Sequence, residues 1–353
     1  MSQTTMKAWV IRSKGQPSKI LHLDPALPRP TISGDLVLVK VNAVSLNPIG
    51  WKLMSTPPIS WLQKVPGVPE LDLSGTIVEG DLKGTDLKVG DQVYGIKDLN
   101  HAAKTGHGVL AEYAIVEKSN LRRKPENLSF EEAAAVPLAT LTAIGALEKG
   151  GIDRKSGPGK RIFINGGSGG VGIVAVQIAS SYGCEVSTTC SPGSKSFVES
   201  LAPNVRTFDY RASPLHKQLA DHVKANGKPF DMVFDTVGAP ELYRSSPSFL
   251  VNKGGYIDIA GSHLDGSVSS IIKSAAYMGS NMLRPSFLGG VSRKYTFYTM
   301  APTVALVNEM DRLLTTGSIK VILDDTFAFE NAKDAYERSM SGRAKGKIVI
   351  RVD

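Results

Sequence analysis

In the run Lys160–Lys195, KRIFINGGSGGVGIVAVQIASSYGCEVSTTCSPGSK, three glycines (Gly167, Gly169 and Gly172) stand at G-x-G-x-x-G spacing. Glycines so spaced let a backbone turn tightly and pass close to a pyrophosphate. A helix starting there points unpaired N–H groups, and roughly half a positive charge, at the phosphates. Taken alone, the glycines would equally suit a tight turn between packed elements. Here an apolar run, Ile162–Ile164, precedes them, a helical pattern follows, and a β-branched run, Glu185–Thr189, comes next. Strand, turn, helix and strand are the setting a dinucleotide fingerprint requires.

The second strand then bears on which dinucleotide. An NAD-preferring site usually holds the ribose 2′-OH with an Asp or Glu about twenty residues past the glycines. This strand closes Thr188-Thr189-Cys190-Ser191, the next charged residue is Lys195, and Glu185 stands at the opposite end. Hydroxyls and an ammonium suit a 2′-phosphate, so the reading favours NADPH over NADH. The plainer account is that Lys195 merely opens the next helix.

Other chemistries find little support. No Ser/His/Asp, Cys/His or paired-carboxylate arrangement points to hydrolysis. A catalytic zinc needs three Cys, His or carboxylate ligands, and a structural zinc usually four cysteines. No Cys or His lies between His22 and His101, His101 and His107 flank a loop with no third partner, and both cysteines fall in the nucleotide half. No metal is expected. The 353 residues carry 41 Lys and Arg against 33 Asp and Glu, a formal charge of +8. The basic residues are scattered, and the one compact run, Arg122-Arg123-Lys124, reads as a solvated linker, which argues against nucleic acid. No stretch of about 18 apolar residues suggests a membrane span. Cys184 and Cys190 fall on one strand, about 20 Å apart, too far for a disulfide. The N-terminus enters a strand pattern by Met6, leaving no room for a leader, so a cytoplasmic setting is expected.

Strand signals cover Met6–Ser13, Leu36–Val44, Leu71–Val78, Asp91–Ile96 and Gly108–Val116, with Asn47–Pro69 as a long loop. Ser129-Phe-Glu-Glu132 has capping-box spacing and opens an alanine-rich helix that Pro137 interrupts, and a second helix, Leu138–Lys149, stops at Gly150-Gly151. Strands at Val205–Tyr210, Phe230–Val237 and Gly255–Ala260 then alternate with helices at about 198–202, 214–225 and 240–250, the signature of a parallel sheet. A helix (Ala301–Thr316), a strand near Val321, a helix (Glu330–Ser341) and a strand (Lys347–Val352) close the chain. The fold class is α/β: a doubly wound Rossmann sheet plus a β-rich N-terminal lobe. The domains expected are 1–128 (β-rich, substrate and catalysis), 129–300 (dinucleotide binding) and a tail, 301–353, returning to the first.

The segments VNAVSLNPIGWKL (41–53), LDLSGTIVE (71–79), KVGDQVYGI (88–96), GVLAEYAIV (108–116), AAAVPLATLTAIGAL (133–147), the NGGSGGVG turn, TCSPGSK (189–195), FDYR (208–211), FDMVFDTVG (230–238) and GRAKGKIVI (342–350) carry a family resemblance along essentially the whole chain. It resembles the zinc-free quinone-oxidoreductase branch of the medium-chain dehydrogenase/reductase superfamily, near the reticulon-interacting mitochondrial quinone reductases. That resemblance implies a GroES-like first lobe. It also implies that Asn47 is a polar donor near the nicotinamide and Thr142 a hydroxyl beside the ring. The family's N-P-x-D-W-K reads Asn47-Pro48-Ile49-Gly50-Trp51-Lys52 here, with Gly50 in place of the acid. Lys52 is then either a donor to a substrate oxygen or a surface lysine packed on Trp51. Asn47 before Pro48 equally suits a turn residue. By the same resemblance Ser168, Gly169, Gly170 and Val171 meet the pyrophosphate, Ser191, Lys195 and Tyr210 surround the 2′-phosphate, and Ile259 lies beside the cofactor. Arg343, Lys345 and Gly346 approach it from the tail, unless they form only a solvated turn.

The activity implied is hydride transfer from NADPH to a small-molecule quinone or enone. Two alternatives stay open: an enoyl reductase acting on an acyl thioester or polyketide, and a protein that keeps NADPH and works through a partner. A homodimer is also open.

Overall fold

The computed structural model describes residues 4–261, 268–284 and 288–352. Of the domain ranges read from the sequence, residues 1–3, 262–267, 285–287 and 353 lie outside the described residues. The chain divides into two compact units. One comprises residues up to Leu141, Ala301–Thr315 and the chain from Val321 onward; the other comprises Thr142–Met300 and Thr316–Lys320.

The second unit is built on six parallel strands in the spatial order Arg206–Asp209, Glu185–Cys190, Arg161–Asn165, Phe230–Asp235, Leu250–Asp258, Lys294–Phe297. The central strands are near-continuous apolar runs, Ile162–Ile164 and Met232–Phe234, because a parallel strand is covered on both faces. The chain adds strands to one side of Arg161–Asn165 and then returns to add the rest on the other. Strands Arg161–Asn165 and Phe230–Asp235 therefore flank the point where strand order reverses, the place where open α/β sheets bind ligands beyond their carboxyl ends. Helix Gly170–Ser181, apolar and largely buried, packs on strands Arg161–Asn165 and Glu185–Cys190.

The first unit holds a seven-stranded mixed sheet. Its order is Leu323–Ala328, Lys347–Arg351, Leu36–Ser45, Asp72–Gly80, Gln92–Ile96, Leu121–Arg123, with Tyr113–Glu117 also on Leu36–Ser45. A separate ribbon pairs Thr5–Ile11 with Leu21–Pro28. Two registers matter for the site: Ser45 lies opposite Asp72 on one side and opposite Val349 on the other.

The sequence signals hold best where the physics is local. The Ser129 box forms as read: Ser129 Oγ accepts from the Glu132 N–H at 3.1 Å, and Glu132 accepts from the Ser129 N–H at 2.9 Å. Several expectations are corrected. The loop after Asn47 contains a helix, Pro48–Ser55, begun by a proline at its first position, where a missing N–H costs nothing. The strand expected from Gly108 begins only at Tyr113. The helix expected over 240–250 ends at Arg244, and Leu250 already starts a strand. Leu21–Pro28 is a strand despite two prolines, tolerated because it pairs on one side only. Cys184 stands just before strand Glu185–Cys190, and both cysteines are free. Phe130–Lys149 is long and apolar enough to cross a membrane by length and composition, contrary to the sequence expectation, but 78% of that window is buried inside the fold.

Candidate active site

The nucleotide turn follows strand Arg161–Asn165. Its three motif glycines are there for different reasons. A Cβ on Gly167 would lie 2.3 Å from Thr188 Oγ1, and one on Gly172 would lie 2.0 Å from the Gly166 carbonyl, so both are required by packing. A Cβ on Gly169 would meet only the Gly166 carbonyl at 3.4 Å, an ordinary contact. Packing does not demand glycine at Gly169, and the space it leaves open is a cradle for a ligand at the helix start. Gly169 is the N-cap of helix Gly170–Ser181, and no side chain caps it. The N–H groups of Gly170 and Val171 in the first turn have no intrahelical acceptor. With half-exposed Ser168 they form the donor set an anion needs. A dinucleotide pyrophosphate fits this turn.

A hydrogen-bonded bracket holds the turn in place. Thr189 Oγ1 accepts from the Gly166 N–H at 2.7 Å and donates to Asn165 Oδ1 at 2.8 Å. Asn165 Nδ2 donates to Asp235 Oδ1 at 2.9 Å, and Asp235 also accepts the N–H groups of Val237, Gly238 and Ala239 and the Tyr256 hydroxyl. Ile259 lies just past the end of strand Leu250–Asp258, its N–H donating to the Asp235 carbonyl at 3.1 Å. Sequence reasoning missed Asn165 and Asp235 as positioning residues. The available signal was a polar residue closing each of two apolar strands at the carboxyl edge.

This difference in glycine roles predicts a split. Gly172→Ala should lower both thermal stability and cofactor affinity, because its methyl drives into a backbone carbonyl. Gly169→Ala should keep the melting temperature while weakening cofactor binding about tenfold or more, roughly 1.4 kcal/mol. Calorimetric titration and thermal melts read the two effects separately, and equal losses of stability in both variants would contradict the assignment.

The carboxyl end of strand Glu185–Cys190 itself carries no acid, though Asp209 of the neighbouring strand pairs in register with Cys190: Cys190 is buried, Ser191 Oγ donates to Ser194 Oγ at 3.3 Å, and Glu185 faces Arg161 at the far end. Lys195 and Tyr210 are both exposed. Lys195 opens a short helix and pairs with Glu199 one turn on, so part of its charge is already neutralised. Tyr210 is 50% exposed, with the Arg211 guanidinium 5.5 Å from its ring centre.

In the first unit the expected donor Asn47 is in a different situation from the one its sequence suggested. The strand registers bring Asp72 and Lys347 beside it, and the three lock together. Asn47 is 2% exposed, and its Nδ2 donates to Asp72 Oδ2 at 2.8 Å and to the Ser45 carbonyl at 3.3 Å. Lys347 Nζ donates to Asn47 Oδ1 and to the Leu46 carbonyl, and lies 3.6 Å from Asp72 Oδ2. Asp72 Oδ1 accepts the Leu138 N–H at 2.9 Å, anchoring the first turn of helix Pro137–Lys149. Both amide hydrogens of Asn47 thus have protein acceptors, and the expectation that it reaches a substrate oxygen does not fit this geometry. Burial raises the Asp72 carboxyl to about 6 despite the Lys347 charge, and desolvation lowers Lys347. Neither Asp72 nor Lys347 was singled out from the sequence. A charged residue inside a buried strand was the signal to follow.

Lys52, on helix Pro48–Ser55, is half-buried with its Nζ 5.8 Å from the Trp51 ring centre. Its pKa is lowered by desolvation, and no carboxylate among the described residues pairs with it. Thr142 is buried, one turn beyond Leu138 on helix Pro137–Lys149. Arg343, Lys345 and Gly346 form the turn before strand Lys347–Arg351. Asp324 holds that turn, accepting the Lys345 N–H at 2.8 Å together with Nε and Nη2 of Arg338.

Two family descriptions match this chain: the alcohol dehydrogenase GroES-like domain over residues 33–126 and zinc-binding dehydrogenase over residues 206–350. A zinc-type alcohol dehydrogenase-like protein of Schizosaccharomyces pombe is 31% identical over 99% of this chain and 97% of its own length. The chain belongs to the medium-chain dehydrogenase/reductase superfamily. It is an oxidoreductase. Another relative in the superfamily, the 2-methylene-furan-3-one reductase of Solanum lycopersicum, is 32% identical over 98% of this chain and 79% of its own. The quinone oxidoreductase of Coxiella burnetii superposes with a TM-score of 0.78 at 25% identity, each chain covered to 99%.

A family described as zinc-binding raises the question of a metal. Among the described residues no group of three or more His, Cys, Asp or Glu side chains gathers to hold one. Two buried polar clusters of the first unit are each already centred on an ammonium. Lys347 sits among Asp72, Asn47 and the Leu46 carbonyl, and fully buried Lys97 lies 3.0 Å from Glu117, which also bonds His101. These residues do not fit a zinc ion, and no step is assigned to one.

Proposed function

We propose that this protein is an NADPH-dependent reductase that delivers hydride to a quinone or to the β-carbon of an enone, without a metal. The observation that carries the reading is the Gly167–Gly172 turn, with one open glycine between two packed ones at a helix start. The relatives named a quinone oxidoreductase and a 2-methylene-furan-3-one reductase support the acceptor class. Bound at this turn, the cofactor supplies the hydride. Ser168, Gly169, Gly170 and Val171 hold its pyrophosphate, Ser191, Lys195 and Tyr210 its 2′-phosphate, and Ile259 lies beside it. Thr142 offers its hydroxyl to the nicotinamide end, and Arg343, Lys345 and Gly346 approach from the tail. Lys52 is the donor to the acceptor oxygen as negative charge develops there, an assignment supported by its being half-buried and unpaired. Its lowered pKa also suits it to release a proton to that oxygen. Asn47 fixes the loop that carries the Lys52 helix.

The test is NADPH oxidation against quinones, enones and acyl thioesters, before and after dialysis against a chelator. Turnover with a quinone or enone that survives dialysis is expected. Activity confined to acyl thioesters would favour the enoyl-reductase alternative, and one equivalent of zinc per chain would overturn the metal-free reading.

Cofactor preference has its own check. Lys195→Ala should weaken NADPH binding by about 1.5 kcal/mol, the low end for a hydrogen bond to a charged group, because Glu199 already shares the ammonium. NADH binding should barely change. Equal losses for both cofactors in titrations would remove Lys195 from the 2′-phosphate site.

A further inference from the structure

Two irregularities in the first unit interlock. Glu70 is a wholly buried carboxylic acid whose backbone lies at φ 70°, a left-handed conformation rare outside glycine. Gly50, in the middle of helix Pro48–Ser55, has no side chain where the family pattern expects an acid. A Cβ on Gly50 would lie 2.0 Å from Glu70 Oε1, 2.6 Å from its Cδ and 2.8 Å from its Oε2. The Glu70 carboxyl thus fills the space that a side chain at position 50 would enter. From there it reaches the site's own scaffold, for Oε1 accepts the Tyr336 hydroxyl at 2.6 Å and the carboxyl lies beside the Asn47 backbone. Its Oε2 is buried with no hydrogen-bond partner among the described residues.

We propose that Glu70 replaces the acid missing at Gly50, reaching in from a neighbouring segment to position Asn47 and the helix that carries Lys52. Charge balance agrees with this. Lys347 and Asp72 already form one buried ion pair, so a second ionised carboxyl would have no counter-charge. Glu70 faces Tyr336 on helix Ala332–Met340, Asp72 on its own side, Lys347 on the closing strand and the Asn47 backbone. Burial raises Glu70 to about 8, so at neutral pH it holds its proton, and Oε2 carries it because Oε1 accepts from Tyr336. The folded state then binds a proton that the unfolded chain releases near 4.5. The stability this contributes is complete below 4.5 and is lost as pH rises through about 8.

The effect on turnover rests on Lys52 being the donor, while the effect on folding does not. The test exchanges the two positions in the full chain. Gly50→Asp alone should lower the melting temperature sharply or prevent accumulation, since its side chain enters the space of the Glu70 carboxyl. Glu70→Gly alone should fold, relieved of its backbone strain, with kcat/KM for NADPH and quinone down about tenfold. The double variant should recover most of the melting temperature lost by Gly50→Asp and most of the kcat/KM lost by Glu70→Gly. Glu70→Gln, which mimics the protonated acid, should keep at least about a third of kcat/KM at pH 7. It should also abolish the decline of stability between about pH 6 and 8, where Asp72 is already ionised. If the two substitutions act additively on melting temperature, the proposal fails. It also fails if they couple in stability while Glu70→Gly leaves kcat/KM within about twofold, or if Glu70→Gln keeps the decline above pH 6. Should the wild type turn over none of the acceptors, the functional reading falls separately, and the melting-temperature coupling and pH dependence decide the role of Glu70.

Discussion

Replacing Lys347 by Met is expected to destabilise the protein by about 3–5 kcal/mol at pH 7, the cost of leaving one partner of a buried ion pair alone. Asp72 is fully buried, and the ammonium is its one nearby positive charge in the polar cluster. The same substitution strips Asn47 Oδ1 and the Leu46 carbonyl of their donor. Because Asp72 is raised to about 6, lowering the pH to 5 protonates it in the folded state and should return part of the loss. Lys347→Met combined with Asp72→Asn should cost less than Lys347→Met alone. Urea melts at both pH values check this. A loss under about 1 kcal/mol, or one that does not shrink at pH 5, would show that the cluster is not an ion pair in solution.

Lys52→Ala should lower kcat and kcat/KM together by about 10²–10³, the usual effect of removing one donor to a developing oxyanion. Cofactor affinity should stay within about twofold, because nothing assigns Lys52 to the phosphates. The melting temperature should change little, since the side chain is half-exposed and makes no ion pair among the described residues. A merely structural lysine lying on Trp51 would behave differently: losing its contact with the ring would lower stability and leave kcat intact. Steady-state kinetics alongside a melt separate the two, and an unchanged kcat would return the donor role to an unassigned residue.

The nucleotide turn was legible in the sequence because its physics is local: the glycines, the strand before and the helix after form one unbroken run, Arg161–Ser181. The Ser129 capping box was legible for the same reason. The Asn47 cluster was not, because its hydrogen bonds join residues 25 and 300 positions apart. Only the registers that place Ser45 opposite both Asp72 and Val349 bring them together. Sequence alone presented Asn47 as an available amide, since the acceptor and donor that occupy it lie on other strands. Lys195 shows the same blindness on a smaller scale. Its spacing from the glycines suits a 2′-phosphate, but the competing Glu199 becomes visible only as a contact one helical turn away. Helix Pro48–Ser55 was hidden by its shortness and by Gly50, whose reason for being glycine is Glu70, twenty positions on.

The central claim is hydride delivery from a nicotinamide to an electron-poor acceptor, and isotope transfer tests it most directly. The protein is incubated with NADPH deuterated at C4, in each stereochemical form in turn, and an enone, and the product is read by mass spectrometry and NMR. The account predicts one deuterium at the β-carbon from one of the two forms, with the α-hydrogen drawn from solvent. A product with no label at the β-carbon, or NADPH left unoxidised by enones and quinones alike, would contradict it.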